Sequence, residues 1–85
     1  MIRRSRMRII TDILAEGLTP ASKTRIMYKA NLNFLRFQRY FSELLENGLI
    51  IRENVSDNGV DYYKTTDKGR DLLQVIKEAE ELLSV

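Results

Sequence analysis

The sequence contains no cysteine and no histidine. Disulfide bonds are therefore excluded, and so are the usual zinc sites, whose ligands are cysteine and histidine. The same absence removes the common nucleophile and general-base pairs, and no glycine-rich phosphate loop is present, so the sequence predicts neither an enzyme nor a cofactor. A chain of 85 residues buries only roughly 60–65% of its unfolded surface. Self-association is the expected source of additional stability.

Long apolar runs are also absent. No segment approaches the roughly 20 apolar residues that are needed to span a bilayer. The first residues are basic, and no signal-type apolar core follows them. We therefore expect a single cytoplasmic domain over residues 1–85 with no membrane partner. No small-molecule ligand is evident from the sequence.

Acidic residues are scarce in the first half of the chain. Residues 1–45 contain nine Lys/Arg and three Asp/Glu, a net charge of +6, whereas residues 46–85 contain five and nine, a net charge of −4. A basic half is typical of a protein that binds a polyanion, and the acidic half is expected to face away from it. The alternative is that the charges of a small domain are unevenly distributed by chance.

Helical periodicity predicts a first helix from Ser5 to Glu16. Gly17 is expected to end it, because glycine tolerates the left-handed conformation that often follows a helix. Ile9 lies outside the apolar face of this helix, which indicates either a second buried contact or an exposed apolar residue. The face itself consists of Met7, Ile10, Ile13 and Leu14.

Two helices separated by a tight turn follow the linker 18–21. Ser22 is expected to cap a helix over Lys23–Lys29, and Asn33 a helix over Phe34–Glu46, because their side-chain oxygens can accept from free backbone N–H groups. Ala30, Asn31 and Leu32 form the turn. The inward residues are Ile26 and Met27 on the first of these helices, then Phe37, Phe41 and Leu44 on the second, flanked by Phe34, Tyr40 and Leu45.

A short β-hairpin is predicted after the stop at Asn47-Gly48. One strand covers Leu49–Asn54 and the return strand covers Asp61–Thr65. Asp57-Asn58-Gly59 is expected to form a type I′ turn, because Asn-Gly readily adopts two positive φ angles. Tyr62 and Tyr63 alternate along the return strand, so one of them should pack inward and the other should be exposed on the wing.

Thr66 is expected to cap a last helix over Asp67–Leu83. A monomeric surface helix needs one apolar stripe, whereas this helix has two sets of apolar residues, so part of its surface is expected to contact a second subunit. The predicted fold is α+β and mostly α: a winged helix-turn-helix with three N-terminal helices, a two-stranded wing and a C-terminal dimerisation helix. The predicted dimer contacts are Leu72, Val75, Ile76, Ala79, Leu82 and Leu83.

Several short segments resemble one protein family. They are Lys23-Thr24-Arg25-Ile26-Met27-Tyr28, Ala30-Asn31-Leu32, Arg39-Tyr40, Gly48-Leu49-Ile50 and Tyr63-Lys64-Thr65-Thr66-Asp67-Lys68-Gly69. Together they resemble the archaeal winged helix-turn-helix proteins of the Sso10a type, small DNA-binding proteins of Sulfolobus and its relatives. The resemblance covers about residues 7–83. It implies a winged-helix fold, dimerisation through the last helix, and binding to duplex DNA.

The sequence departs from this family in two respects. Family members have a much longer final helix that forms an antiparallel coiled coil, whereas this sequence ends at Val85. A more compact dimer, or one that also uses the first helix, is therefore expected. The wing is acidic at Asp57 and Asp61, which argues against a contact between the wing and phosphate.

The helix over Phe34–Glu46 is the predicted recognition helix, because the major groove of B-DNA admits an α-helix. Arg36, Gln38 and Arg39 have side chains that can pair with guanine or adenine edges. Leu35 suits a thymine methyl group, or is a partly covered surface residue. Asn33, at the start of this helix, is included in the predicted site.

Phosphate contacts are predicted at the start of the preceding helix, at Lys23, Thr24 and Arg25, since helix N-termini and basic side chains favour phosphate. The alternative is a solvated face. Tyr28 and Tyr40 are expected to be structural. A basic arm offers a second phosphate or minor-groove contact, or is a frayed terminus; it consists of Arg3, Arg4, Arg6 and Arg8.

The function predicted from these features is that of a dimeric regulator that binds duplex DNA. One alternative is an architectural protein that coats DNA without sequence preference. Another is a winged helix that binds only proteins, which the acidic, apolar-rich C-terminal half favours. RNA binding is a weaker alternative, because no exposed aromatic residues for base stacking are evident.

Overall fold

The computed structural model describes residues 4–55 and 57–83. These residues form four helices and two strands, and the strands pair as one antiparallel sheet. They are α1 (Arg6–Glu16), α2 (Lys23–Lys29), α3 (Phe34–Glu46), β1 (Ile50–Val55), β2 (Asp61–Thr65) and α4 (Asp67–Leu83). The predicted fold class is therefore confirmed. The predicted bounds differ by one residue, at the start of α1 and at both ends of β1.

The helices begin where side-chain caps are available. Ser5, Ser22 and Asn33 accept hydrogen bonds from the backbone N–H groups three residues later, at 3.2, 3.2 and 2.9 Å. Thr66 accepts from the Gly69 N–H at 3.1 Å and donates to the Gly48 carbonyl at 2.7 Å. The predicted caps Ser22, Asn33 and Thr66 are confirmed, whereas Ser5, predicted as the first residue of the first helix, is its cap. Thr66 also holds the end of α3 against the start of α4.

The core lies between α1, α2 and α3 and is closed by the sheet and α4. The Phe37 and Phe41 rings stack with centroids 4.9 Å apart, and Phe41 contacts Tyr63 edge-on at 5.0 Å. Tyr63 is thus the inward residue of the pair on β2, while Tyr62 is half-buried. Helix α3 and the return strand are therefore joined by one aromatic cluster.

The predicted face of α1 was partly wrong. Ile9 is fully buried, whereas Met7 is exposed. Helix α1 contacts α2, α3 and α4, so its buried surface is wider than one stripe and is centred closer to Ile9. Helical spacing alone cannot show how many elements surround a helix.

The predicted conformation of Gly17 was also wrong, because its φ is −91° and not positive. Its lack of a side chain serves a close approach instead. A Cβ at this position would lie 2.7 Å from the Thr65 Oγ1. The Thr65 N–H donates to the Gly17 carbonyl at 2.7 Å, and the buried Thr65 hydroxyl donates to the Leu14 carbonyl at 2.7 Å. Strand β2 is thereby joined to the end of α1.

The hairpin pairs Ile50 with Thr65 and Val55 with Asp61, with a bulge between Arg52 and Asn54. Residues 56–60 lie between the paired ends. The predicted type I′ turn was wrong: Gly59 has a φ of 82°, but Asn58 is not in the positive region. The Asn58 Oδ1 instead accepts from the Val60 N–H at 3.2 Å. A loop of this length does not need two consecutive positive φ angles.

Helix α4 packs on the core only through residues up to Ile76. Gly69 and Ile76 are buried, Leu72 and Leu73 are half-buried, and every residue from Lys77 to Leu83 is exposed. The assignment of Ile76 to a dimer contact was therefore wrong, because its side chain belongs to the core of its own protomer. Among the described residues, no helix is long and apolar enough to cross a membrane.

Candidate nucleic-acid interface

The first turn of α2 carries the predicted phosphate contacts. Thr24 and Arg25 are exposed, as a solvent-facing or phosphate-facing role requires. Lys23 is half-buried, and its Nζ lies 5.5 Å from the centroid of the Phe41 ring. This is within the range of a cation–π contact, so Lys23 covers the aromatic core in addition to lying at the helix N-terminus.

The turn between α2 and α3 is tightly held. Ala30 and Leu32 are buried, and Asn31 has a φ of 55°, the left-handed region that asparagine tolerates better than most residues. Arg4 donates to the Ala30 carbonyl at 2.6 Å and to the Asn31 carbonyl at 2.7 Å. Its guanidinium also pairs with Asp12 on α1 at 3.0 Å. The turn is therefore connected to the start of the chain.

The other basic residues of the predicted N-terminal arm are engaged with the protein as well. Arg6 pairs with Glu43 and lies 5.7 Å from the centroid of the Tyr40 ring. Arg8 pairs with Asp12 at 3.7 Å and with Glu80 at 3.9 Å. Arg4, Arg6 and Arg8 thus form neither a free arm nor a frayed terminus. Arg3 lies outside the described residues.

Helix α3 presents its predicted residues at different angles. Leu35 and Arg39, four residues apart, are exposed on the side opposite the buried Phe37. Arg36 and Gln38 are half-buried and lie on either side of that outer line. The Asn33 Oδ1 is occupied by the Arg36 N–H, which leaves its side-chain NH2 group as the donor available to a ligand. The most exposed side of α3 thus carries one cation, Arg39, and one apolar side chain, Leu35.

The cations on α2 and α3 have no acidic partners among the described residues. Residues 17–42 include five Lys/Arg and no Asp/Glu. None of these five has a described carboxylate within 4.0 Å, whereas Arg4, Arg6 and Arg8 are all paired. The positive charge of this surface is therefore not neutralised by an ion pair to any described carboxylate. Its cations are Lys23, Arg25, Lys29, Arg36 and Arg39.

Two exposed aromatic residues of this surface were not predicted as part of the site. Tyr28, Phe34 and Leu35 are 81%, 64% and 78% exposed. The structural role predicted for Tyr28 and the core-flanking role predicted for Phe34 were therefore wrong. Tyr28 lies two positions from the buried Ile26 and thus on the outer side of α2. Phe34 has core spacing relative to Phe37, but it is the first residue of α3 and no element covers it.

The comparison with known families agrees with this architecture. A profile described as winged helix-turn-helix matches residues 3–84. The chain belongs to this family.

Three relatives of this winged helix-turn-helix chain are informative. Two uncharacterised proteins of Methanocaldococcus jannaschii, MJ0290 and MJ0287, are 37% and 32% identical over 83 and 85 residues. The aligned region is 96% of this chain in both cases, but 36% of MJ0290 and 79% of MJ0287. The crystal structure of Sso10a-2, a DNA-binding protein from Sulfolobus solfataricus, matches with a TM-score of 0.80 at 29% identity, covering 93% of this chain and 81% of that one. The predicted resemblance to the Sso10a type is confirmed.

The wing of this winged helix-turn-helix domain differs electrostatically from α2 and α3. Arg52 pairs with Asp61 at 3.6 Å, and Lys64 pairs with Glu53 at 3.9 Å. Its cations are thus balanced within the hairpin, and Asp57 adds an exposed acid near the tip. The positive surface of the described residues is concentrated on α2 and α3, at a distance along the chain from the wing.

Proposed function

We propose that this protein binds duplex DNA as a dimeric transcription regulator, with α3 in the major groove. The observation that carries this proposal is the set of five cations on α2 and α3, none of which has a described carboxylate within 4.0 Å; they lie in residues 17–42, which contain no Asp or Glu. Cations that are not committed to protein carboxylates can replace the counterions of DNA phosphates, and this release drives binding. The Sso10a-2 structure, described as that of a DNA-binding protein, supports the same function.

The proposed contacts fall into two groups. Arg39, Arg36, Gln38 and Leu35 contact base edges, because they surround the outer line of α3. Thr24, Arg25 and Asn33 contact phosphate from the two helix N-termini. Lys23 must leave the Phe41 ring to reach a phosphate, so its contribution to affinity should be smaller than that of Arg25.

Dimerisation is proposed to use the exposed apolar residues of α4. Val75, Ala79, Leu82 and Leu83 are exposed, and Leu72 is half-buried beside them. A dimer through this surface would present two α3 helices to one duplex, with half-sites spaced by about one helical turn or a multiple of it.

A salt-dependent titration of a random 30-mer duplex tests DNA binding. If all five cations of a protomer displace DNA counterions, log K should fall with log salt with a slope of at most about −4.5 per protomer, or about −9 for a dimer on one duplex. Arg39→Ala should weaken binding about 5- to 100-fold without loss of thermal stability. Arg70→Ala is the matched control, because it removes one exposed arginine from α4. Equal affinities of the Arg39→Ala, Arg70→Ala and wild-type proteins would remove Arg39 from the site, and absence of duplex binding at low salt would refute the proposal.

A second candidate function is that of an architectural protein that coats DNA. The observation in its favour is Leu35, which occupies an outermost position of α3 and cannot form a hydrogen bond to a base. Competition with a pool of genomic fragments separates the two functions. A regulator should enrich particular fragments by about 10³-fold or more over random DNA, whereas an architectural protein should enrich none.

A further inference from the structure

The two exposed aromatic residues lie within the basic helix-turn-helix. Large apolar side chains that are exposed singly are common on protein surfaces. Here Tyr28, Phe34 and Leu35 occur within eight residues of the chain, and the two aromatic ones are the most exposed aromatic side chains among the described residues. Tyr40 and Tyr62 are half-buried, and the remaining aromatic residues belong to the core. Exposed rings are thus concentrated on the proposed DNA-binding surface.

The surroundings of these rings are cationic. Arg25 and Lys29 flank Tyr28 on α2, and Arg36 follows Phe34 and Leu35 on α3. None of these cations has a described carboxylate within 4.0 Å. A protein partner for this surface would need an apolar face rimmed by acids. A nucleic acid with unpaired bases offers both required chemistries in every nucleotide, a π-face and a phosphate.

Duplex DNA would leave the aromatic part of this surface without a stacking partner. In a duplex the π-faces of the bases are stacked on each other, and the major groove presents base edges, with the thymine methyl as its main apolar group. Leu35 can contact such a methyl group, but the rings of Tyr28 and Phe34 find no π-face there. Aromatic platforms beside a positively charged groove are the usual means of binding single strands.

We propose that the α2–α3 surface also binds single-stranded nucleic acid, with Tyr28 and Phe34 stacking on unpaired bases and Arg25, Lys29 and Arg36 contacting the phosphates. This inference rests on the proposed nucleic-acid function and extends it to a second class of ligand. The shared chemistry is that of unpaired nucleobases, which single-stranded DNA and RNA both supply.

The experiment uses the absence of tryptophan from the sequence. Phe34→Trp introduces one indole at an exposed position, and its fluorescence should be quenched when a base stacks on it. The protein is titrated with a single-stranded 20-mer DNA, the same sequence as RNA, and the matching DNA duplex. Stronger quenching by the single strands than by the duplex is expected, and comparison of the DNA and RNA arms identifies the preferred source of bases.

Alanine variants then measure the contribution of each ring. Tyr28→Ala and Phe34→Ala should each weaken single-strand binding about 5- to 100-fold and change duplex affinity by less than about threefold. Met7→Ala is the control, since it removes an exposed apolar side chain from α1. Circular dichroism should show unchanged folding for all three variants.

The outcomes separate this inference from the proposed function. Duplex binding without single-strand binding, or single-strand affinity that is equal in wild-type and both alanine variants, would overturn the inference and leave the proposed function intact. Absence of binding to every oligonucleotide would refute both, and would assign the aromatic surface to a protein partner.

Discussion

At the scale of single residues, Arg4 shows how one side chain can be misjudged from its position. It lies in a basic cluster at the start of the chain, yet its guanidinium donates to the carbonyls of Ala30 and Asn31 and pairs with Asp12. These contacts hold the turn that sets the angle between α2 and α3. Arg4 therefore helps to position the helix-turn-helix, and we expect it not to contact DNA.

Arg4→Ala should consequently lower the free energy of unfolding by about 1–2 kcal/mol, since three partly exposed charge-assisted hydrogen bonds are lost. The slope of log K against log salt should stay unchanged, because no phosphate contact is removed. Arg25→Ala is the counterpart: stability should be unaffected, and the slope should become less steep by about 0.9 for each protomer bound. Urea unfolding and the duplex titration measure both quantities. A reduced slope for Arg4→Ala would mean that Arg4 does contact phosphate.

At the scale of elements, the junction between the wing and α4 depends on close backbone packing. Gly69 lies in the first turn of α4, where a Cβ would be 2.3 Å from the Leu49 carbonyl oxygen and 2.6 Å from the Thr65 Cγ2. The Thr66 N–H donates to the same Leu49 carbonyl at 3.0 Å. The glycine therefore allows α4 to approach the end of α3 and the start of β1.

Gly69→Ala should destabilise the protein by about 2–3 kcal/mol, because backbone atoms must move to admit the methyl group. Helix propensity predicts the opposite sign, a gain of about 1 kcal/mol. Gly59→Ala is the comparison: its φ of 82° causes strain, but no atom lies within 4 Å of the added Cβ. A smaller loss of about 1 kcal/mol is expected there. Thermal unfolding measures the stability change of both variants, and a stabilised Gly69→Ala protein would contradict this account of the junction.

At the scale of the whole molecule, α4 separates intramolecular packing from the proposed dimer contact. Ile76 is 7% exposed and packs on the core, whereas the adjacent Val75 is 61% exposed. Residues 77–83 of α4 are all exposed, including Leu82 and Leu83 near its end. The apolar residues of α4 therefore face different surroundings: Ile76, Leu72 and Leu73 pack on the core, whereas Val75, Leu82 and Leu83 are exposed.

Val75→Asp should convert the proposed dimer into a folded monomer, while Ile76→Asp should lower stability by about 3 kcal/mol or more, because it places a carboxylate in the core. Gln74→Asp introduces the same negative charge at an exposed position on the other side of α4 and should change neither property. Light scattering measures the mass and circular dichroism the folding. A monomeric wild-type protein at micromolar concentration, or an unchanged dimer mass for Val75→Asp, would reject this interface.

The order of the elements was predictable from the sequence by itself, and so were the helix caps. A cap is a contact over three residues, as between Ser22 and Arg25, and the stripe of Phe37, Phe41 and Leu44 repeats within two turns. Such local interactions act on residues that are close along the chain in any fold. The family resemblance was readable for the same reason, since its motifs are short and contiguous.

Which cations and which aromatic rings are available to a ligand could be seen only in the tertiary structure. Arg4 meets Ala30 from 26 residues away, and Thr65 meets Leu14 from 51 residues away. Arg6 pairs with Glu43 on α3 and Arg8 with Glu80 on α4, whereas Arg25 and Arg39 pair with no carboxylate of the described residues. Charge pairing and solvent exposure depend on which elements pack together, and that information is absent from the spacing of residues along the chain.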